Sequence, residues 1–433
     1  MNFNEALRYL DRFINREATA GRIHGLSLAA MSDLVHCMGD PHKDLRAIHV
    51  TGTNGKGSVV SMIQSIISAN GLRVGSYMSP HVDSIRERFV LANSQITEEM
   101  FAELVFDVSQ YVESNSLEPS YFELLTAAAL LLFSNEGVDA AVVEVGILGR
   151  FDATNVLDGE VAVITNIGKD HTDGKNEWRR SIAGEKAGII VEGKPLLLGN
   201  PEEDVLDLFL DENPSPLFQN KKDFSVEDSL PAVGGQVLNI RGIHGKYEEI
   251  FLPLYGKRQA DNAALSLATS EVFLDGPISE EVIEDAFRNL SIPGRMEILS
   301  RRPVVLVDGA HNRDSAKHLA ETVNEVFPAT RRILILGILE PHSPEEIFNE
   351  LKYISPDLVV VCNAPSVRAV NARELEKIAL SLGYEVEKSE NPYEATLNAL
   401  RVSTEEDLIV AAGSFYNISE IRRAVKESEE QQS

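Results

Sequence analysis

Residues 48–58 read Ile-His-Val-Thr-Gly-Thr-Asn-Gly-Lys-Gly-Ser, and the reading of this stretch decides the fold. A β-branched run, Ile48 to Val50, ends in a glycine-rich turn. Lys56 and Ser58 follow, and then the apolar helical pattern Val59, Val60, Met62, Ile63, Ile66 and Ile67. Strand, glycine-rich loop and helix, in that order, let backbone N–H groups and a helix N-terminus cradle a phosphate. Thr53, Asn54, Gly55 and Gly57 supply the cradle, Lys56 reaches the outer phosphates, and the Ser58 hydroxyl can ligate Mg²⁺. Gly57 separates lysine from serine, which departs from the usual spacing of such loops. The competing reading is a tight strand-to-helix turn with an exposed lysine. It leaves unexplained why glycines, lysine and hydroxyl arrive together in the required order.

Working outward, a strand at 73–78 closes on Ser79-Pro80-His81, helices follow at 97–114 and 122–135, and strands recur at 140–145 and 161–166. Each strand is a short apolar run bounded by turn residues, as buried parallel strands read. Strands alternating with helices predict an α/β fold, a P-loop-type doubly wound, mostly parallel sheet with ligands at the carboxyl ends of its strands. Segments 52–58, 79–81, 144–150 and 166–171 all fall at or just after such ends. Residues 213–256 lose the alternation and read as a small antiparallel excursion, and a helix is expected over 259–273. After the linker Ser291-Ile-Pro-Gly-Arg295 the pattern restarts, with strands at 304–307, 332–336, 358–362 and 408–412. Two domains are therefore expected, 1–292 and a smaller Rossmann-like α/β domain, 293–433. The polar residues 426–433 are expected to fray.

A chain of 433 residues, 43% hydrophobic and 25% charged, has the composition of a globular protein. The N-terminal segment is an acid-containing amphipathic helix rather than a signal peptide, and no apolar run approaches the roughly 18 residues needed to span a bilayer. Cys37 and Cys362 are far apart and lack metal-ligand spacing, which points to a reduced cytoplasmic protein. A net charge of −27 argues against nucleic-acid or anionic-membrane partners. Any anionic substrate then needs a local cluster of cations to invert the field.

Glu144 is a carboxylate inside an otherwise apolar strand, and a buried acid is costly unless paired or metal-bound. Asp170-His171 ends the next strand, and Ser79 offers a hydroxyl from a third; together they make a candidate metal set. Arg150 and Asp152-Ala153-Thr154-Asn155 share one loop. Taken alone they read as an Asp-capped turn beside a solvated arginine. Lys186 reads, from composition, as a surface lysine on a helix. In the second domain Asp308-Gly-Ala-His311-Asn312 ends a strand and opens a helix. Capping explains Asp308 or Asn312 but not the histidine between them. Gln259, Asn262 and Arg295 complete a polar set that can close on a nucleotide.

Taken together these segments resemble the Mur ligase superfamily, and within it the folylpolyglutamate synthase/dihydrofolate synthase family. The matching pieces are Thr51-Gly-Thr-Asn-Gly-Lys-Gly-Ser58, Ser79-Pro-His81, Glu87-Arg88, Tyr121-Phe-Glu123, Glu144-Val-Gly-Ile-Leu-Gly-Arg-Phe-Asp-Ala-Thr-Asn155, Ile164-Thr-Asn-Ile-Gly-Lys-Asp-His171, Glu185-Lys-Ala-Gly-Ile189, Gln259 with Asn262, Pro293-Gly-Arg295 and Asp308-Gly-Ala-His-Asn312. The resemblance implies an ATP-dependent ligase, acting as a monomer, that forms an amide bond between L-glutamate and a folate or dihydropteroate. It implies ATP contacts at 53–58, Asn262, Arg295, Asp308 and His311, and magnesium, expected as two ions, at Ser58, Ser79, Glu144 and His171. Lys186 matches a lysine that is carbamylated in the family, which would make it a carboxylate able to orient the second ion. Lys56, Lys186 and His171 are thereby the expected catalytic residues. The pteridine side falls to the segment 24–27, to Tyr121, Phe122 and Glu123, and to Asp152, Ala153 and Thr154.

Three departures stand out. Ile147-Leu148-Gly149 replaces a more glycine-rich turn, 24–27 follows the pteroate-side segment loosely, and 337–343 lacks the family's Asp-Lys-Asp run. Two other readings remain beside the first: a Mur-type ligase of a cell-wall or other amino-acid precursor, and a catalytically silent nucleotide-binding protein.

Overall fold

A computed structural model describes residues 1–15, 27–169 and 177–432. The chain divides into two compact units: Met1–Pro253 with Arg258–Leu290, and Leu254–Lys257 with Ser291–Ser433.

The first unit is organised on eight strands, β1 (Ala47–Thr51), β2 (Val74–Tyr77), β3 (Phe89–Leu91), β4 (Ser94–Gln95), β5 (Ala140–Glu144), β6 (Gly159–Ile164), β7 (Leu196–Leu198) and β8 (Leu217–Gln219). Their order is β4-β3-β2-β5-β1-β6-β7-β8. β3 and β4 add on antiparallel at one edge, and the other pairings are parallel. β1, β2 and β5 are buried at every position, because helices cover both faces, so no polar alternation marks them in the sequence. Aromatic residues Tyr77, Phe89, Phe101 and Phe133 fill one core, and Ile164, Ile182, Leu196, Leu198 and Phe209 fill another. Register decides where the chemistry sits. Val50 pairs with Glu144, Thr51 with Ile164 and Tyr77 with Val143, so four strands end level and release their loops at one rim.

The expected excursion is a three-stranded antiparallel sheet, β9 (Ser225–Ala232), β10 (Gly235–Arg241) and β11 (Lys246–Leu252). Buried Glu271, on the helix Lys257–Leu274, anchors it by accepting from the Tyr247 hydroxyl and the Ile243 amide, both at 2.5 Å. Burial and that carboxylate push the Tyr247 phenol well above its ordinary range.

The second unit holds β12 (Glu297–Arg301), β13 (Val304–Val307), β14 (Arg332–Leu336), β15 (Leu358–Val361), β16 (Val386–Lys388) and β17 (Leu408–Ala412), in the order β12-β13-β17-β14-β15-β16. Only the β12–β13 pair is antiparallel. Tyr255 packs edge-on against Phe327 at 5.1 Å, which ties Leu254–Lys257 to this unit.

One expectation fails at the end of the chain. Residues 426–433 were expected to fray, yet the helix Ile418–Gln432 runs on through nearly all of them. Tyr393 holds it from below, stacking under Arg423 at 4.5 Å and donating to Glu427 at 2.5 Å. The pairs Arg423–Glu427 and Lys426–Glu430 add support one turn apart. Among the described residues no helix is long and apolar enough to cross a membrane.

Candidate active site

The glycine-rich loop leaves β1 with Gly52 at φ 149° and Gly55 at φ 87°. Neither position has room for a side chain: a Cβ on Gly52 would lie 1.8 Å from Thr165 Oγ1, and one on Gly55 2.9 Å from Asn262 Oδ1. Gly55 opens the helix Lys56–Ala69, and among the described residues no side chain caps it, so its leading N–H groups face the loop's hollow. The end of β6 fixes the loop's shape. Thr53 N donates to Asn166 O at 3.1 Å, Asn166 Nδ2 to Asn54 O at 2.6 Å, and Thr165 Oγ1 to the same oxygen at 2.7 Å. Gly168 N closes the set on Thr53 Oγ1 at 2.9 Å. Lys56 is half-buried and reaches back toward Thr53 O at 3.5 Å. Buried Asn262 lies against the loop and donates to Gln259 at 3.1 Å.

Ser58 is fully buried, and its hydroxyl has no hydrogen-bond partner among the described residues. A buried orphan hydroxyl at this point suits a ligand supplied from outside the chain. Glu144 is close by: a Cβ on Gly57 would lie 3.5 Å from its Oε2, and Ser79 N donates to that oxygen at 3.0 Å. Hydroxyl and carboxylate oxygens are the donors a hard divalent cation takes. Among the described residues no three His, Cys, Asp or Glu side chains form a ready metal cage. The described residues therefore offer a cation the Ser58 hydroxyl and the Glu144 carboxylate, to which Ser79 is tied through its amide, and phosphate oxygens can fill further positions, the usual habit of Mg²⁺ at nucleotides. His171 and Asp170 lie outside the described residues, as do His24, Gly25 and Leu26.

Lys186 is not a surface lysine. It is 4% exposed, and Nζ donates to Gly52 O at 2.9 Å. Composition missed this because the burial comes from a distant loop. Residues 146–155 fold onto its helix, with Arg150 N bonded to Glu185 O at 2.7 Å and Asn155 Nδ2 to Gly188 O at 2.9 Å. Arg150 is likewise not simply solvated, since it donates to Gly184 O at 3.1 Å and pairs with Glu212.

Asp152 caps the turn Ala153–Val156 and is buried. It accepts from Ile147 N at 2.8 Å, Thr154 N at 3.0 Å and the Thr154 hydroxyl at 2.6 Å. Burial still raises its carboxyl above the ordinary carboxylate range, against those hydrogen bonds. Phe122 lies over Gly146, where a Cβ would stand 2.5 Å from its ring, so the structure brings 121–123 and 146–155 together. Tyr121 is buried beneath. Glu123 forms a capping box with Ser120, accepting from Ser120 N at 2.6 Å.

Sequence reasoning passed over His49, Thr51 and the scaffolding role of Glu87. Glu87 gathers the amides of Val82, Asp83 and Ser84 at 2.7–2.8 Å and so shapes the loop after Ser79. His49 is fully buried, with Nε2 2.8 Å from Thr154 Oγ1, and burial pulls its pKa down to about 3. The available signal was a lone imidazole in a β-branched strand. The titration has a consequence. The unfolded chain takes up a proton below pH 6.5 while folded His49 stays neutral, so this contribution is complete above pH 6.5 and is lost toward pH 3. Between pH 7 and pH 4 the wild type should lose about 3 kcal/mol more stability than His49→Gln, read from denaturant melts at each pH.

In the second unit Arg295, Asp308 and His311 converge. Arg295 stacks on Phe415 at 4.2 Å, and Asp308 accepts from Met296 N at 2.9 Å and Ala310 N at 2.8 Å. Burial raises the Asp308 carboxyl, and Arg295 opposes that shift. His311 Nδ1 lies 2.7 Å from Gly309 O, and its ring centroid is 5.0 Å from that of His342. His342 belongs to 337–343, the segment that lacks the expected Asp-Lys-Asp run. Asn312, not Asp308, caps the helix Arg313–Val326.

Comparison with known proteins adds independent findings. The Mur ligase middle domain matches residues 50–270, and the Mur ligase glutamate ligase domain matches residues 294–415. A dihydrofolate synthase/folylpolyglutamate synthase of Mycobacterium tuberculosis is 35% identical over 82% of this chain and 77% of its own length. The structure of Mycobacterium tuberculosis folylpolyglutamate synthase complexed with ADP superposes with a TM-score of 0.91 at 31% identity, covering 98% of both chains. A bifunctional folylpolyglutamate synthase/dihydrofolate synthase from Yersinia pestis, complexed with AMPPNP and a Mn ion, gives 0.85 at 26% identity, covering 98% of both chains. Phosphate loop, level strand ends and these matches over nearly the whole length agree: the chain belongs to the Mur ligase family, in its dihydrofolate synthase/folylpolyglutamate synthase branch.

Proposed function

We propose that this protein is an ATP-dependent ligase that adds L-glutamate to a folate, to dihydropteroate, or to both. The observation that carries the reading is the meeting of the phosphate loop with Glu144, the orphan Ser58 hydroxyl and buried Lys186 at one rim of the sheet.

The chemistry follows from the substrates. A carboxylate is a poor acyl donor because its leaving oxygen is strongly basic. Attack of the acceptor carboxylate on the γ-phosphorus of ATP breaks the bond to the bridging oxygen, releases ADP and leaves an acyl phosphate. The glutamate amine then attacks the acyl carbon, phosphate departs and the amine proton is lost to solvent. The amides of 53–58 hold the phosphates, and Lys56 compensates charge on the transferring group. Ser58, Ser79, Glu144 and His171 are assigned to Mg²⁺, which when bound neutralises phosphate charge. Lys186, carbamylated, is assigned to orient a second ion. Phe122, with Tyr121, Glu123 and Ala153, is assigned to the acceptor's ring system. Asp152 and Thr154 order the loop that faces it. For the second unit the same reading assigns Arg295, Asp308 and His311 to the nucleotide, alongside Asn262 of the first.

Phosphate release from Mg-ATP tests the reading, with L-glutamate and either dihydropteroate or a reduced folate. Release that needs glutamate and one of these acceptors is the expected result. Release only with a cell-wall precursor, or nucleotide binding without turnover on any acceptor, overturns it.

A further inference from the structure

Thr51 and His49 are two residues apart on β1 and therefore share a face of the strand. Both take hold of loop 146–155. The Thr51 hydroxyl donates to Leu148 O at 2.7 Å, and His49 Nε2 meets Thr154 Oγ1 at 2.8 Å. The Thr154 hydroxyl is already committed as a donor to Asp152 Oδ1 at 2.6 Å, so the imidazole must be the donor across the second contact. Its neutral state, enforced by burial, fits that role. The other ring nitrogen, Nδ1, is buried with no partner among the described residues. The strand thus tolerates an unsatisfied atom for the sake of this one bond.

The loop needs holding. Leu148 stands at φ 60°, in the left-handed region that side chains other than glycine avoid. A strained residue persists only where its surroundings over-determine it. The surroundings here are the two rungs from β1 and the Ile147 amide bound to Asp152.

We propose that His49 and Thr51 are positioning residues that clamp the strained 146–155 loop in its acceptor-binding shape. The strand that feeds the phosphate loop then also templates recognition of the pterin-bearing acceptor. This rests on the assignment of 146–155 to the acceptor side made under the proposed function.

The test is steady-state kinetics with whichever pterin acceptor supports turnover, and isothermal titration of the same acceptor. His49→Leu and Thr51→Val should each raise the acceptor KM and Kd about ten-fold, with kcat and the ATP KM within about two-fold. A purely structural role would lower the active fraction, and hence kcat, for every substrate alike. His49→Gln keeps an N–H near the place of Nε2 and should stay within about two-fold of wild type. Adding Leu148→Gly to His49→Leu should recover most of the lost affinity, because glycine holds the left-handed turn without the clamp. Circular dichroism melts confirm that each variant is folded. An unchanged acceptor KM in His49→Leu, while Ala153→Trp raises it, overturns the clamp alone. An unchanged KM in both overturns the clamp together with the acceptor-side assignment. Failure of Leu148→Gly to restore affinity overturns the strain argument.

Discussion

Lys56→Ala should lower turnover by at least about a thousand-fold while leaving the protein folded. The side chain is half-buried, and its hydrogen bond to Thr53 O is long at 3.5 Å, so little folding energy depends on it. The loop's shape is set instead by Thr165, Asn166 and Gly168, none of which the substitution touches. On the proposed function, what is lost is a cation beside the transferring phosphoryl group, in a chain whose net charge is −27. The local positive field then rests on backbone amides, Arg295 and bound Mg²⁺, in a protein whose remaining charge repels phosphate. Phosphate release measured alongside a thermal melt checks both halves of the expectation. Near-normal release would remove the phosphate role.

Lys186→Ala should lower turnover at least about a hundred-fold, and short-chain carboxylates such as acetate should restore part of it. The position is enclosed and abuts the phosphate loop through Gly52 O, so truncation leaves a cavity beside the site. A carbamate forms when the amine nitrogen attacks carbon dioxide and gives up a proton. A carboxylate soaked into the cavity can replace that group. Bicarbonate dependence of the wild-type rate is the companion measurement, since a labile carbamate can escape mass analysis. The truncation should also cost about 1–3 kcal/mol through the lost hydrogen bond and packing. A variant that keeps full activity without any carboxylate refutes the modification.

Much of the fold was legible because its strands are buried on both faces. Val304–Val307 and Leu408–Ala412 begin and end where their apolar runs do, and Arg332–Leu336 begins one residue before its run. The rim of the site was legible for a related reason: ligands gather at loops after parallel strands, and these loops carry the glycines and hydroxyls of 52–58, the Ser79 hydroxyl, and the carboxylate and glycines of 144–150. What escaped depends on contacts remote in sequence. Lys186 looks exposed until Arg150 and Asn155 fold over its helix. His49 looks like one more strand residue until Thr154 arrives from 105 positions away. The last helix looks frayed until Tyr393 is placed beneath Arg423. Local pattern reports burial and period, but it does not report which loop will close over which side chain.

The short segment Leu254–Lys257 bears on how this protein can be taken apart. It clusters with residues from 291 onward, although the helix it opens continues into the other unit. Tyr255 shields Phe327, and Gly256 comes so close to Thr322 that a Cβ there would stand 2.4 Å from its hydroxyl. A single cut at residue 290 would therefore not release an intact glutamate-ligase module. It would strip an aromatic neighbour from Phe327 and open an apolar patch to water. Exchange of this module between relatives, in the laboratory or by recombination, must carry four residues from upstream along with the tail.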